Sequence, residues 1–235
     1  MQSFAEKIAN NGFAIVPGVL GSQTISSLLA QLAEVTVNET VKRRGQSYFG
    51  IRNLLNAVPG VRDLAESSQI RSIVEPIVGE RARVVRGIFF DKTPEANWKV
   101  VWHQDVAIAV RQQKHVAGFY NWSVKSGIAH VQPSVSILES ILTLRLHLDD
   151  ADEANGALKV IPGSHKLGRI EAKDMDDAKR MALPVTCCVK QGDALAMRPL
   201  LLHSSSSSAT PSHRRVVHLE FSSVELPGGL EWYGS

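Results

Sequence analysis

From Ala82 onward the chain breaks into short β-rich runs separated by polar or Gly/Pro-containing stretches, and this rhythm limits the possible fold more than any other feature. The runs lie at 84–90, 100–106, 141–148, 157–161, 185–189, 194–198 and 216–221. Many short strands at such spacing predict a sandwich or barrel with Greek-key connections. The double-sheet jelly roll is the member of that class best suited to holding a metal between its sheets. Residues 107–140 show little regular pattern, and a loop of that length is usually a lid or a binding loop.

Residues 1 to about 85 read as mainly helical with one early strand. A short amphipathic helix over 4–10 is closed by Asn10-Asn11-Gly12, and Phe13-Ala14-Ile15-Val16 forms a strand ending at Pro17-Gly18. Ile25, Leu28, Leu29, Leu32 and Val35 then recur at helical spacing, and two shorter helices fall within 61–77, broken near Ser67-Ser68 and ended by Gly79. A length of 235 residues fits one large domain, in which a helical part, 1–85, packs on a jelly-roll core, 86–225.

Composition excludes several classes. A hydrophobic content of 44% and a charged content of 21% are ordinary for a soluble globular protein. The net charge of +3 is small, and Lys42-Arg43-Arg44 and Arg214-Arg215 are short and separated, so no nucleic-acid partner is expected. No signal peptide and no membrane-spanning run is visible. Cys187 and Cys188 are adjacent, which disfavours an ordinary disulfide between them; a reducing, cytoplasmic setting is expected.

His103 and Asp105 stand two apart in Val101-Trp102-His103-Gln104-Asp105. Residues i and i+2 of a strand share a face, so an imidazole and a carboxylate can reach one metal. With 8 His and 23 acidic residues in 235, composition alone yields roughly one such pair, so agreement with other segments has to carry the reading. A second histidine, His203, lies a hundred residues downstream, with Arg214 eleven beyond it.

Four ordered segments together resemble the phytanoyl-CoA dioxygenase family of Fe(II)/2-oxoglutarate oxygenases. They are Asn11-Gly12-Phe13-Ala14-Ile15-Val16-Pro17-Gly18-Val19-Leu20; Trp102-His103-Gln104-Asp105; Leu148-Asp149-Asp150 with Asn155-Gly156-Ala157-Leu158-Lys159-Val160-Ile161-Pro162-Gly163-Ser164-His165; and Gly192-Asp193 with His203 and Arg214. The resemblance implies a mainly β, cupin-like core (a double-stranded β-helix) with flanking helices. It also implies that His103, Asp105 and His203 bind Fe(II), and that Arg214 pairs with the distal carboxylate of 2-oxoglutarate. Oxygen and 2-oxoglutarate are then cosubstrates, and a small organic molecule is hydroxylated or otherwise oxidised as 2-oxoglutarate yields succinate and carbon dioxide. Halogenases of the superfamily have a small residue in place of the carboxylate, so the retained Asp105 disfavours halogenation. The donor types agree with iron chemistry, and a guanidinium fork matches a carboxylate as Lys cannot.

Thr143, Arg145 and His147 alternate with Leu142, Leu144, Leu146 and Leu148. Alternation alone leaves open whether the polar three face water or the barrel interior; the family resemblance places them inward. Arg145, Thr143 and, more weakly, Lys92 are then candidates for holding a carboxylate or phosphate of cosubstrate or substrate. Strand alternation separates Arg214 from Arg215, and the eleven-residue spacing of the family that the chain resembles implies Arg214. Trp98 and Trp102 read as packing residues. Phe119, Tyr120 and Trp122 read as cover for the pocket, and Tyr48 and Arg52, in a linker over 45–53, reach its mouth. His165 orders a loop and is not a ligand, and 204–208 is a small-residue turn. Arg52, Arg145 and the basic balance favour an anionic small substrate. Two other classes fit part of the pattern: a cupin-like metal-binding isomerase or small-molecule binding protein, and a zinc hydrolase. Neither needs Arg214.

Overall fold

The computed structural model describes residues 2–36, 40–44, 47–210 and 212–234, without the side chains of 42–44 and 47–49. In chain order the strands are β1 (Phe13–Val16), β2 (Val41–Arg44), β3 (Ser47–Ile51), β4 (Arg83–Lys92), β5 (Val100–His103), β6 (Ile108–Val110), β7 (Tyr120–Lys125), β8 (Ile128–Gln132), β9 (Leu142–His147), β10 (Leu158–Val160), β11 (Val185–Cys187), β12 (Ala194–Met197), β13 (His203–Ser205) and β14 (Arg214–Ser222). Helices α1 (Phe4–Asn11), α2 (Ser22–Ala33), α3 (Leu54–Ala57), α4 (Pro59–Glu66) and α5 (Ser68–Val78) precede β4, while α6 (Val135–Glu139) and α7 (Met175–Arg180) lie between later strands.

The strands form a seven-stranded sheet, β1-β12-β9-β14-β4-β3-β2, a four-stranded sheet, β11-β10-β13-β5, and a three-stranded sheet, β6-β8-β7. The first two make the jelly roll that the short runs predict, with helices on the outer face of the large sheet. Local sequence sets the early elements. Ser3 and Glu6 form a capping box at the start of α1, and Gly12, at φ 85°, takes the left-handed conformation that turns the chain into β1. Pro59 opens α4 and the Ser67 hydroxyl caps α5.

Period-two alternation in the large sheet separates two environments. Leu142, Leu144, Leu146, Val217, Leu219 and Phe221 point outward to a cluster with Ile25, Leu28, Val61 and Ile70 of the helices. Thr143, Arg145 and His147 are buried on the opposite, interior face. Each fully buried leucine contributes about 1.5–3 kcal/mol, and this apolar layer anchors the strands whose other face carries charge. At the closed end of the sandwich, Leu158, Val160, Leu195, Met197 and Leu201 fill the space between sheets.

The structure departs from the sequence reading in three places. Residues 1–85 are more than a helical attachment, because β1 pairs with β12 at one edge of the large sheet and the β2–β3 hairpin extends the other. The expected linker over 45–53 is thus largely strand β3. The expected irregular stretch 107–140 is instead the third sheet with α6. In it, Ser126 at φ 55° and Gly127 at φ 74° form the two-residue turn between β7 and β8, a Ser-Gly hairpin signal. The expected 204–208 turn begins as strand β13, hydrogen-bonded to both β10 and β5.

Leu144→Ala should lower stability by about 2–5 kcal/mol, as large-to-small changes in a packed core do, measured as a lower chemical-denaturation midpoint. A loss below about 1 kcal/mol would show that β9 does not face the helices as described.

Candidate metal centre and its cavity

The two histidines are direct cross-strand partners: β13 runs antiparallel to β5 with His203 opposite His103. Their rings lie 4.2 Å apart between centroids. His103 Nδ1 is 2.9 Å from the Val101 carbonyl and His203 Nδ1 is 2.8 Å from the Leu201 carbonyl. A carbonyl only accepts, so both Nδ1 atoms carry the proton. In the neutral rings Nε2 is then an open lone pair, which is the tautomer a metal takes.

Asp105 closes the set. The strand ends at His103, so the carboxylate comes from the residues just after it and not from the same strand as the i, i+2 argument assumed. Its backbone N–H donates to the Pro199 carbonyl at 2.9 Å. His103 Nε2 and His203 Nε2 each lie 3.7 Å from a different Asp105 oxygen. These separations are too long for hydrogen bonds, and the three donor atoms lie within 4.8 Å of one another. Between the ligands in sequence, Gln104 turns the other way. Its amide donates to the carbonyls of Gly168 and Leu200 at 2.8 and 2.6 Å and accepts from the Ile170 N–H at 2.8 Å. Buried with these partners, it fixes the bend that brings Asp105 back toward the histidines. Two imidazoles and a carboxylate converging with free lone pairs suit a divalent iron or a similar ion.

Electrostatics agrees with that donor set. Burial, opposed by Asp105, holds His203 down at about 4, so it is neutral at physiological pH. Burial also penalises a charge on His103, but the facing Asp105 carboxylate outweighs it and raises this imidazole. Asp105 itself is held well below the ordinary carboxylate range, because His203 and His103 outweigh its burial.

The donors line a cavity of about 280 Å³ that also receives Lys92, Arg145 and Arg214. Arg214 Nη1 donates to the Gly156 carbonyl. Gly156, at φ 78°, has no room for a Cβ, which would stand 2.4 Å from the Ser206 carbonyl. The Asn155-Gly156 turn thereby supports the cavity arginine. Arg215 instead points away and grips Asp149 in a fork, at 2.8 and 2.7 Å. Lys92 donates to Ser205 Oγ at 3.1 Å and sits 5.7 Å from the Trp98 ring centre. Burial, with Arg214 and Arg145 nearby, pushes the Lys92 ammonium down to about 7.

Arg145 belongs to a chain of hydrogen bonds. It donates to His218 Nδ1 at 3.1 Å; His218 Nε2 faces Glu220 Oε1 at 3.3 Å; and Arg86 Nη1 donates to the same oxygen at 3.1 Å. Arg86 Nη2 reaches His130 Nε2 at 3.3 Å, and burial together with Arg86 pushes His130 down to about 4. By strand alternation His218 and Glu220 share the Arg214 face of β14. Arg86, Gln104 and Lys125 are functional residues that the sequence reading does not include, although Arg86, Ile88, Phe90 and Lys92 lie on one face of β4 by alternation.

Other expectations need correction. Thr143 shares the Arg145 face but lies outside the cavity lining, buried with its hydroxyl unpartnered. Phe119 and Trp122 pack in an apolar cluster under the third sheet, and Tyr120 stacks with Arg169 at 4.9 Å, so none of the three covers the pocket. Trp98 lines the cavity, whereas Trp102 packs beside Ile161 and Leu202 as expected. Arg52 also lines the cavity; the side chain of Tyr48 is outside the described residues. His165 packs on Gly12 and faces the Ala9 carbonyl at 3.3 Å, away from the metal donors. A larger cavity of about 520 Å³, bordered by α4, α5 and Phe221, contains no histidine or cysteine.

A family model described as phytanoyl-CoA dioxygenase (PhyH) matches residues 8–216. The chain belongs to the phytanoyl-CoA dioxygenase family. Phytanoyl-CoA dioxygenase 1 of Oryza sativa subsp. japonica is 24% identical over 184 residues, covering 74% of this chain and 56% of that relative. The chain therefore spans little more than half the length of that family member. Among solved structures, SnoK, a non-heme alpha ketoglutarate dependent carbocyclase from nogalamycin biosynthesis, matches with a TM-score of 0.71 at 18% identity, covering 94% of this chain and 83% of SnoK. The epimerase SnoN, in complex with Fe3+, alpha ketoglutarate and nogalamycin RO, matches with a TM-score of 0.68 at 18% identity, covering 96% of this chain and 90% of SnoN. At these identities the likeness concerns the fold. No helix among the described residues of this family member is long and apolar enough to cross a membrane.

Asp105→Ala should weaken Fe(II) binding by at least about tenfold, as loss of a charged ligand from a three-ligand site requires. Anaerobic metal titration reads this directly, and unchanged affinity would remove Asp105 from the ligand set.

Proposed function

We propose that the protein is a non-haem Fe(II)/2-oxoglutarate-dependent oxygenase. It hydroxylates or otherwise oxidises a small organic molecule while 2-oxoglutarate is converted to succinate and carbon dioxide. The observation that carries this reading is the presence in one cavity of the His103–Asp105–His203 donors and Arg214, the combination that a cupin-like binding protein or a zinc hydrolase would not need. Family membership supports it. The retained carboxylate supports hydroxylation over halogenation, and the carbocyclase and epimerase of the same fold mark other oxidative outcomes open to one centre.

Iron held by the three donors would supply oxygen activation coupled to decarboxylation of 2-oxoglutarate. The chain's own residues bind and orient. Arg214, held by Gly156, offers its fork to the distal carboxylate, and Lys92 adds a second cation at the same end. Arg145, positioned by His218 and Glu220, places a further positive charge on the cavity floor. The apolar Leu158 and Phe90 limit water access. The adjacency of Cys187 and Cys188, which disfavours a disulfide between them, is the ground for a reducing, cytoplasmic location.

Succinate should form from 2-oxoglutarate only when iron is supplied, and Arg214→Gln should raise the KM for 2-oxoglutarate by about 10–100-fold, the worth of a charge-assisted fork. Iron-independent succinate formation, or an unchanged KM in the variant, would contradict the assignment.

Lys92 gives a pH signature. Its ammonium, facing Arg214, Arg145, Ser205 and the Trp98 ring, carries charge below about 7 and loses it above. A dianion binds the charged form, so the KM for 2-oxoglutarate should climb by up to about tenfold per unit as pH rises from about 7 to about 8.5. Lys92→Met should flatten the climb. A wild-type KM that does not change over this range would exclude Lys92 from cosubstrate binding.

A further inference from the structure

Among the described residues the cavity is lined by six Lys and Arg side chains and by two carboxylates, Asp105 and Glu220. The bases fall into groups along the strands. On paired strands β4 and β14, Lys92 lies opposite Arg214 and Arg86 lies opposite Glu220, six residues further along β14. At about 3.4 Å per residue these backbone positions are roughly 20 Å apart. Arg214 and Lys92 mark one end, where the proposed cosubstrate site lies.

At the other end, Arg86 is joined by Arg52, just after β3, and by Lys125, at the tip of the β7–β8 hairpin. Glu220 neutralises Arg86 at 3.1 Å. Neither Arg52 nor Lys125 forms a salt bridge among the described residues, Asp105 acting on Lys125 only through space. Three separate elements thus bring cations together around one space, offset among the described residues by Glu220 on Arg86 and, through space, by Asp105 on Lys125. Such an arrangement is costly when empty and favourable once an anion enters. Burial, then repulsion from Arg86, lowers the Arg52 guanidinium, and burial with repulsion from Arg52 and Arg86, partly opposed by Asp105, lowers the Lys125 ammonium.

We propose that Arg52, Arg86 and Lys125 form the recognition site for the primary substrate, a small molecule whose oxoanion end group, carboxylate or phosphoryl, docks there. Its carbon body then extends toward His103, Asp105 and His203, where the C–H bond is oxidised. The proposal rests on the oxygenase reading above. The cavity of about 280 Å³ must hold both cosubstrate and substrate. Pockets for drug-sized ligands run from about 300 to 1,000 Å³, so the substrate is compact and a whole acyl-CoA thioester does not fit within this space.

The test uses the full chain loaded with Fe(II) and saturating 2-oxoglutarate under anaerobic, low-salt conditions. It is titrated calorimetrically with butyrate, propylphosphonate and the neutral butyramide. At least one anion should bind with 2-oxoglutarate present, at least about tenfold more tightly than butyramide, one charge-assisted contact being worth that much. The stronger of the two names the end group. Arg52→Gln and Lys125→Gln, made separately because each is a non-core position, should each weaken that anion by at least threefold. Neither should change the visible absorption of the Fe(II)–2-oxoglutarate complex. Butyramide binding as tightly as the anions, displacement of the anions by 2-oxoglutarate, or unchanged anion affinity in both variants would overturn the inference. The absorption reads the parent assignment separately. Its absence in the wild type overturns the oxygenase reading, whereas its presence with unchanged anion affinity overturns the substrate site alone.

Discussion

The backbone pairing of β13 with β5 is the constraint on which the rest of the site depends. It sets His203 directly opposite His103, and each ring is then locked by a hydrogen bond to a carbonyl two residues earlier in its own chain segment. A slip of one residue would turn either imidazole to the far face of the sheet. Asp105 depends on the same frame, because the Pro199 carbonyl that holds its N–H leads directly into β13. The three donors are thereby held by main-chain structure, a rigidity that oriented metal ligands require.

The large sheet has the complementary task of holding buried positive charge. Arg145, Arg214 and Lys92 are all at least nine-tenths buried, and isolated charges in that setting are expensive. The outer leucine-rich face offsets the cost by packing on the helices, while inside the sandwich hydrogen bonds to Gly156, Ser205 and the His218–Glu220 pair satisfy part of each cation. What is left unsatisfied, including Arg214 Nε and Arg145 Nε, faces a shortage of acceptors that a bound dicarboxylate would relieve.

Much of this was legible in the chain because the relevant signals are local or periodic. Alternation along 142–148 separates a leucine face from a polar face, and the structure keeps that separation residue by residue. The elements missed are those whose identity lies in their partners. Strand β13 reads as a serine-rich turn, and only its pairing with β10 and β5 makes it a strand. The β2–β3 pair, with Lys42-Arg43-Arg44 on one strand and Gly50 within the other, lacks a clear period-two pattern and becomes strand by extending β4. Thr143 shows the limit of face assignment: alternation gives the side, not the depth, and it lies outside the cavity. Arg86 shares the Lys92 face of its strand by alternation, whereas Lys125 carries no distinguishing sequence mark, since a lone Lys beside a Ser-Gly turn ordinarily faces solvent. Gln104 is similar, its role being visible only once Gly168, Ile170 and Leu200 are brought around its amide.

The central claim is that one iron centre and one cosubstrate site share this cavity. A crystal structure of the protein grown anaerobically with Fe(II) and 2-oxoglutarate, with anomalous scattering recorded at the iron edge, tests it most directly. The account expects a single iron peak bounded by His103, Asp105 and His203, with the distal carboxylate of 2-oxoglutarate in the fork of Arg214. Iron at any other position, or 2-oxoglutarate absent from Arg214 while iron is bound, would contradict it.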